Sequence, residues 1–381
     1  MDGTNPAPAC AHCSNLAVHA CSVCNNAPAY EIPSKNTYYC STQCQKDDWL
    51  THKAVCKTLK TRKMLFRAGE LLQEIFYVYR EQVFDKVFVK VEKRDGKMLL
   101  HQGEYPPLSK MSNALDLLFP FDPSVVSDPL DKASILTYMA CGDAVAWMHD
   151  LVKYVLPDLC SKFKEMRVMI QNRERHLVMV TEGEEHSSDQ PHCILKVKLK
   201  NSDEWYIVDL AGAQYGFFEP IVPAVMYEKS YVRSHIDSHG AEYFGQGKEV
   251  LIQFSQMPVL AGNSCKLNHV ISEYLMKGVE DWEAEHASTI QGLLGLKEKE
   301  FQERRAGLIA NVEKWVSSCV KVVKQQGEVI RAKMAAGAID DKDLVAGGIA
   351  IGMDDLKGGG LNAEDVEAFV KAFETRMSDF Q

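Results

Sequence analysis

The chain lacks a long apolar run: nowhere in its 381 residues do 18 hydrophobic positions follow one another, so the sequence predicts no membrane-spanning helix. It also lacks a basic excess. Its 43 Lys and Arg stand against 52 Asp and Glu, a net charge of −9, whereas wholesale nucleic-acid binding calls for an electropositive face. The opening MDGTNPAPACAHC has neither the basic stretch nor the apolar core of a secretory signal. Several catalytic signatures are missing as well. The stretch AEYFGQGKEV has Glu242 where a phosphate-binding loop needs its first glycine, and neither HExxH nor GxSxG occurs. There are no internal repeats. What remains is the composition of a folded globular chain, 46% hydrophobic and 25% charged, long enough for two or three domains.

Cysteine is abundant but unevenly spread. Seven of the twelve fall within the first 56 residues, and five are scattered singly over the rest. A secreted disulfide framework would distribute them, while clustered CxxC pairs without a signal read as metal ligands in a reducing compartment, cytoplasm or nucleus. The cluster runs Cys10, Cys13, Cys21, Cys24, Cys40, Cys44, His52 and Cys56. Eight soft ligands suit two tetrahedral zinc ions with four each. Cys40/Cys44 and His52/Cys56 are i,i+4 pairs, which share one side of a helix. So short a segment with so little apolar content cannot fold on a core alone, so metal binding there would be folding energy.

The string CAHC…CSVC…YYCSTQCQKDDWLTHKAVC resembles a MYND-type zinc finger over residues 10–56. The resemblance implies an interleaved pairing, with Cys10, Cys13, Cys40 and Cys44 on one ion and Cys21, Cys24, His52 and Cys56 on the other. It implies a protein or peptide partner, including proline-containing peptides, met through Gln45 and Trp49. The stretch between Cys24 and Cys40 is longer than usual for the family and predicts an added loop. His12 and His19 lie among the ligands, but the eight already fill both shells.

Beyond the finger, Leu65, Leu72, Phe76 and Tyr79 keep a helical rhythm that predicts a helix over roughly 60–85. Its basic start, Lys57, Lys60, Arg62, Lys63 and Arg67, reads as a solvated helix face. Alternation on both sides of Asp95-Gly96 predicts a hairpin. LDKASILTYMACGDAVAWMHDLVKYVL reads as one or two helices breaking near Cys141-Gly142, and MRVMIQNRE, HLVMVTE and HCILKVKLKNSDEWYIVDL as strands. The expected organisation is α+β and multidomain: a finger at 1–57, a mixed α/β domain at 58–262 and a helical region at 263–381. In that last region Leu308, Val312, Trp315, Cys319 and Val322 form a packing stripe. The stretch 337–360 reads as a glycine-rich linker, and Asn362 as the cap of a final helix with Val366, Phe369, Val370, Phe373 and Met377 on its apolar side.

Cys141, His192 and Asp209 follow one another in the chain order of a thiol triad, and papain-like and transglutaminase-like folds show a similar order. If Asn201-Ser202 form the turn, Lys200 opposes Asp203, Ile194 opposes Asp209, and His192 and Asp209 become diagonal neighbours about 7–8 Å apart. Cys193 is a rival thiol on the opposite side of that strand. The same three residues also suit an ordinary core. The reading adopted is a zinc protein whose finger mediates protein–protein contact as an adaptor; the alternative is a thiol hydrolase or acyltransferase fold using Cys141, His192 and Asp209, active or degenerate.

Overall fold

The computed structural model describes residues 8–336, apart from 31–35, 105–120, 188, 237–242 and 257–259. At the N-terminal end β1 (His19–Ala20) pairs antiparallel with β2 (Tyr38–Tyr39), and α1 (Thr42–Asp47) follows, its first turn capped by the Ser41 hydroxyl accepting from the Cys44 amide. Next comes α2 (Trp49–Gln82), 34 residues and about 50 Å long. It begins well before residue 60, because the His52/Cys56 ligand pair already lies on its first turns. Leu65, Ala68, Leu72, Ile75, Phe76 and Tyr79 are all fully buried along one side of it. At Gly69 a methyl group would collide with Ile221, so only glycine lets the helix lie this close to the sheet.

Two sheets form the centre. In the first, β3 (Phe88–Arg94) and β4 (Lys97–Gln102) make the expected hairpin, its turn residues Asp95 and Gly96 both at positive φ. That sheet continues with β6 (His176–Thr181), parallel to β4, and β7 (Glu184–His186), antiparallel to β6.

Between the sheets in sequence lie α3 (Pro129–Thr137), α4 (Cys141–Ala146) and α5 (His149–Val155). The second sheet is antiparallel throughout, in the order β10 (Ile221–Pro223), β9 (Trp205–Val208), β8 (His192–Leu199), β5 (Cys160–Ile170), β11 (Val232–His235). One side of it, with Leu195, Val197, Leu199 and Tyr206, packs on α2 and α5. The other side, with Val168, Ile194 and Ile207, is covered by α6 (Ala224–Tyr231) through Tyr227.

After α7 (Gln246–Ser255) the chain is helical: α8 (Leu260–His286), α9 (Ile290–Leu294) and α10 (Glu298–Ala335). The stripe Leu308, Val312, Cys319 and Val322 is buried, with Trp315 half-covered beside it. The basic start of α2 departs from its expected exposure, since Arg62 and Arg67 point inward. Arg62 pairs with Glu204 and donates to the Pro28 carbonyl. Arg67 donates to the Leu294 and Leu296 carbonyls and to Glu298, lying over the Phe301 ring. A guanidinium satisfies five donors at once, so arginines can be buried where lysines stay in water. The stretches 337–360 and 362–377 lie outside the described residues.

Candidate functional site

Two constellations of reactive side chains stand out. In the first, the two CxxC turns and the start of α2 converge. The Sγ atoms of Cys13, Cys40 and Cys44 lie 3.5–3.8 Å apart, and Cys10 completes the group. In the second group Cys21 Sγ is 3.8 Å from Cys56 Sγ, and Cys24 Sγ is 3.5 Å from His52 Nε2. These sulfurs are too far apart for disulfides. They match the edge of about 3.8 Å expected when four ligands surround one zinc at about 2.3 Å. Neither His12 nor His19 joins either group. Tyr39 fills the space between the groups and donates its hydroxyl to Asp48, the residue that leads into α2.

The second constellation lies where α4 meets β8. The turn Tyr138–Ala140 separates α3 from α4, with Met139 at φ +57°, so Cys141 opens a helix. His192 opens β8 and is wholly buried. The observed register pairs Lys198 with Trp205 and Leu195 with Val208, the pairing that the two-residue turn predicts. It brings His192 Nε2 to 3.0 Å from both carboxylate oxygens of Asp209. A carboxylate only accepts, so Nε2 carries the hydrogen and Nδ1 is left for the other side. Nδ1 is buried and has no hydrogen-bond partner among the described residues. The imidazole interacts with Cys141, whose Sγ also lies 3.8 Å from the Pro191 carbonyl.

Asp209 is held from two more directions, by the Ala211 amide at 3.1 Å and the Tyr227 hydroxyl at 2.8 Å. Tyr215 presents its ring edge-on to His192, the ring centres 4.9 Å apart. Burial works against charge on His192, but the Asp209 carboxylate outweighs it and raises the pKa to about 10. The Cys193 thiol, then burial, push Cys141 upward, while His192 pulls it down. Contact with Cys141 in turn lowers Cys193. Cys193 leaves the strand away from His192, toward Ala144 and Val145, where it lines an apolar cavity of about 20 Å³.

A family model described as MYND finger matches residues 10–56. Residues 10–56 form a MYND finger. No curated protein and no solved structure matches the chain. The two ligand groups are the interleaved set the resemblance implied, and they fit two zinc ions. Zinc bound there would supply folding energy to the module.

MYND fingers are generally protein-interaction modules, and the resemblance implies contact through Gln45 and Trp49. Gln45 donates to the Cys21 sulfur at 3.8 Å and so supports a ligand. Trp49 stands edge-on to His52 and is 42% exposed. The finger is tied to the sheet by Tyr30, from the long stretch between Cys24 and Cys40. Its ring packs on Tyr206, and its hydroxyl accepts from the Trp205 amide. Sequence reasoning missed Tyr227, Gln214 and Arg80 around the thiol. Arg80 binds the Leu136 carbonyl, Asp143 and Asp85, so it ties α2 to α3 and to α4, the helix that Cys141 opens. No local pattern marks any of the three, because each acts across a long sequence separation.

Proposed function

We propose that the chain is a thiol-dependent acyl-transfer enzyme carrying a MYND finger that docks a protein partner. What supports the catalytic half is one observation: a fully buried imidazole held by Asp209 through Nε2, whose Nδ1 has no other hydrogen-bond partner among the described residues and whose ring interacts with Cys141. In this reading the Cys141 sulfur, as thiolate, attacks the carbonyl carbon of an acyl substrate. The leaving amine or alcohol takes its proton from His192 Nδ1 as the tetrahedral intermediate collapses to a thioester. Water or an acceptor amine then attacks the thioester and gives its proton back to Nδ1. The carbon–sulfur bond breaks and Cys141 is regenerated. Asp209 orients the ring and stabilises its charged form throughout.

The test is the pH dependence of iodoacetamide labelling at Cys141, followed by mass spectrometry on zinc-loaded protein with and without His192→Ala. The expected result is labelling well below the ~8.5 of a free thiol, lost in the variant. Slow labelling that His192→Ala leaves unchanged would mark Cys141 as a packing residue.

A purely adaptor role is the second reading, favoured by the apolar surface at the start of α2, where Leu50 is 90% exposed beside Trp49. Exposed aromatics at such a surface are the usual anchors of a peptide contact, here a proline-containing segment of a partner in the cytoplasm or nucleus. Trp49→Ala should abolish capture of such peptides while both zinc ions stay bound. An adaptor keeps its partners in Cys141→Ala, whereas an enzyme loses turnover.

A further inference from the structure

The turn that presents Cys141 is held to the His192–Asp209 pair by one side chain. Gln214 is buried in the 3-10 turn Gly212–Tyr215. Its Oε1 accepts from the Met139 amide at 3.1 Å, and its Nε2 donates to the Ala211 carbonyl at 3.1 Å. An amide N–H can only donate, so the Met139 contact fixes which way the Gln214 amide faces. Ala211 in turn donates its own N–H to Asp209 Oδ1. The links form one continuous chain, from Asp209 through Ala211 and Gln214 to Met139, two residues before Cys141.

The Met139 end of this chain lies in a turn whose neighbours are bonded locally, Tyr138 N–H to the Ile135 carbonyl and Ala140 N–H to the Thr137 carbonyl. Met139 sits at φ +57°, which a non-glycine residue adopts only when its surroundings impose it, and its side chain is 46% exposed. Its amide is bonded by Gln214, the contact that reaches this turn from the His192–Asp209 side. From α2, Arg80 brackets the same turn by binding the Leu136 carbonyl before it and Asp143 after it.

We propose that Gln214 is a positioning residue for the thiol centre, setting the Cys141 sulfur against His192 by tying the nucleophile's turn to the turn that follows Asp209. The inference rests on the thiol-enzyme reading. Without Gln214, Met139 is free to leave the left-handed region, Cys141 swings away from the imidazole, and the thiol titrates as an ordinary buried one. Displacement of a reacting group by about 1 Å suffices for large rate losses.

The experiment compares the pH profile of Cys141 labelling in the parent, Gln214→Met and Leu308→Ala, all zinc-loaded. Gln214→Met keeps the length of the side chain and removes both hydrogen bonds. Leu308→Ala destabilises a distant part of the core. The expected result is labelling at neutral pH about tenfold slower or more in Gln214→Met, with a profile no longer sensitive to His192→Ala, and an unchanged profile in Leu308→Ala.

An unchanged profile in Gln214→Met, or an equal change in Leu308→Ala, overturns the proposal. If Gln214→Met does not fold, Gln214→Glu, which keeps the acceptor for the Met139 amide, is read instead. It should label faster than Gln214→Ala, and equal rates overturn the proposal. A parent protein whose labelling ignores His192 overturns the thiol reading itself, and the positioning role falls with it.

Discussion

His192 is buried without a trace of exposure, yet its charge is favoured, because Asp209 lies 3.0 Å from Nε2. That balance has a consequence for stability. The folded value of about 10 lies above the ~6.5 of an unfolded chain, so the stabilisation is complete below about pH 6.5 and is lost as pH rises through about 10. The melting temperature of the parent should therefore fall toward that of His192→Gln between about pH 7 and about pH 10. Parallel curves would show that the pair contributes nothing. Gly212 gives a second residue-scale prediction. A Cβ there would stand 2.6 Å from Asp209 Oδ2 and 2.9 Å from the Phe217 carbonyl. Gly212→Ala should destabilise by about 2 kcal/mol in denaturant melts and slow Cys141 labelling, since Asp209 must move.

At the scale of elements, the β8–β9 ribbon was the most legible part of the chain. A two-residue turn fixes register, and register fixes which side each residue faces, so the approach of His192 to Asp209 followed from counting. The i,i+4 ligand pairs were legible for the same reason. The inward turn of Arg62 and Arg67 was not, because nothing local distinguishes a basic residue facing solvent from one reaching Glu204, as Arg62 does, or the Leu294 and Leu296 carbonyls, as Arg67 does. Arg67 closes the end of α9 and the start of α10 together, through two carbonyls and Glu298. Arg67→Ala strands those carbonyls and should cost about 2–3 kcal/mol. Hydrogen exchange should rise first at α9 and the first turns of α10, and an even rise across the chain would contradict this role.

For the whole molecule, metal dependence should be confined rather than global. The finger's own core is small, chiefly Tyr39, Leu59 and the ligands themselves, whereas the inner half of α2 is buried among the central strands and the C-terminal helices. Chelation should release two zinc ions per chain by elemental analysis and open residues 10–56 to protease. The fragment from the middle of α2 onward should remain resistant. Wholesale digestion would mean that the finger stabilises the entire fold. The sequence could mark the finger as a unit by its ligands. It could not show how firmly the finger is seated, since that depends on Tyr30 meeting Tyr206 and Arg62 meeting Glu204 across the fold.

One helix, α2, serves as zinc ligand at one end and as neighbour to α3 and α4 at the other, with Arg80 as its last inward group. Fingers of this kind could be exchanged between genes as cassettes if they ended at their last ligand. Here no cut is clean. A break just after Cys56 parts the finger's Tyr30 from Tyr206 and its Pro28 carbonyl from Arg62, so the finger loses its seat, and a break after Gln82 leaves the finger trailing an apolar strip that would find other surfaces to cover. The two parts are therefore heritable only together: a recombined gene would have to borrow the whole helix, and with it the side chain that reaches Asp143.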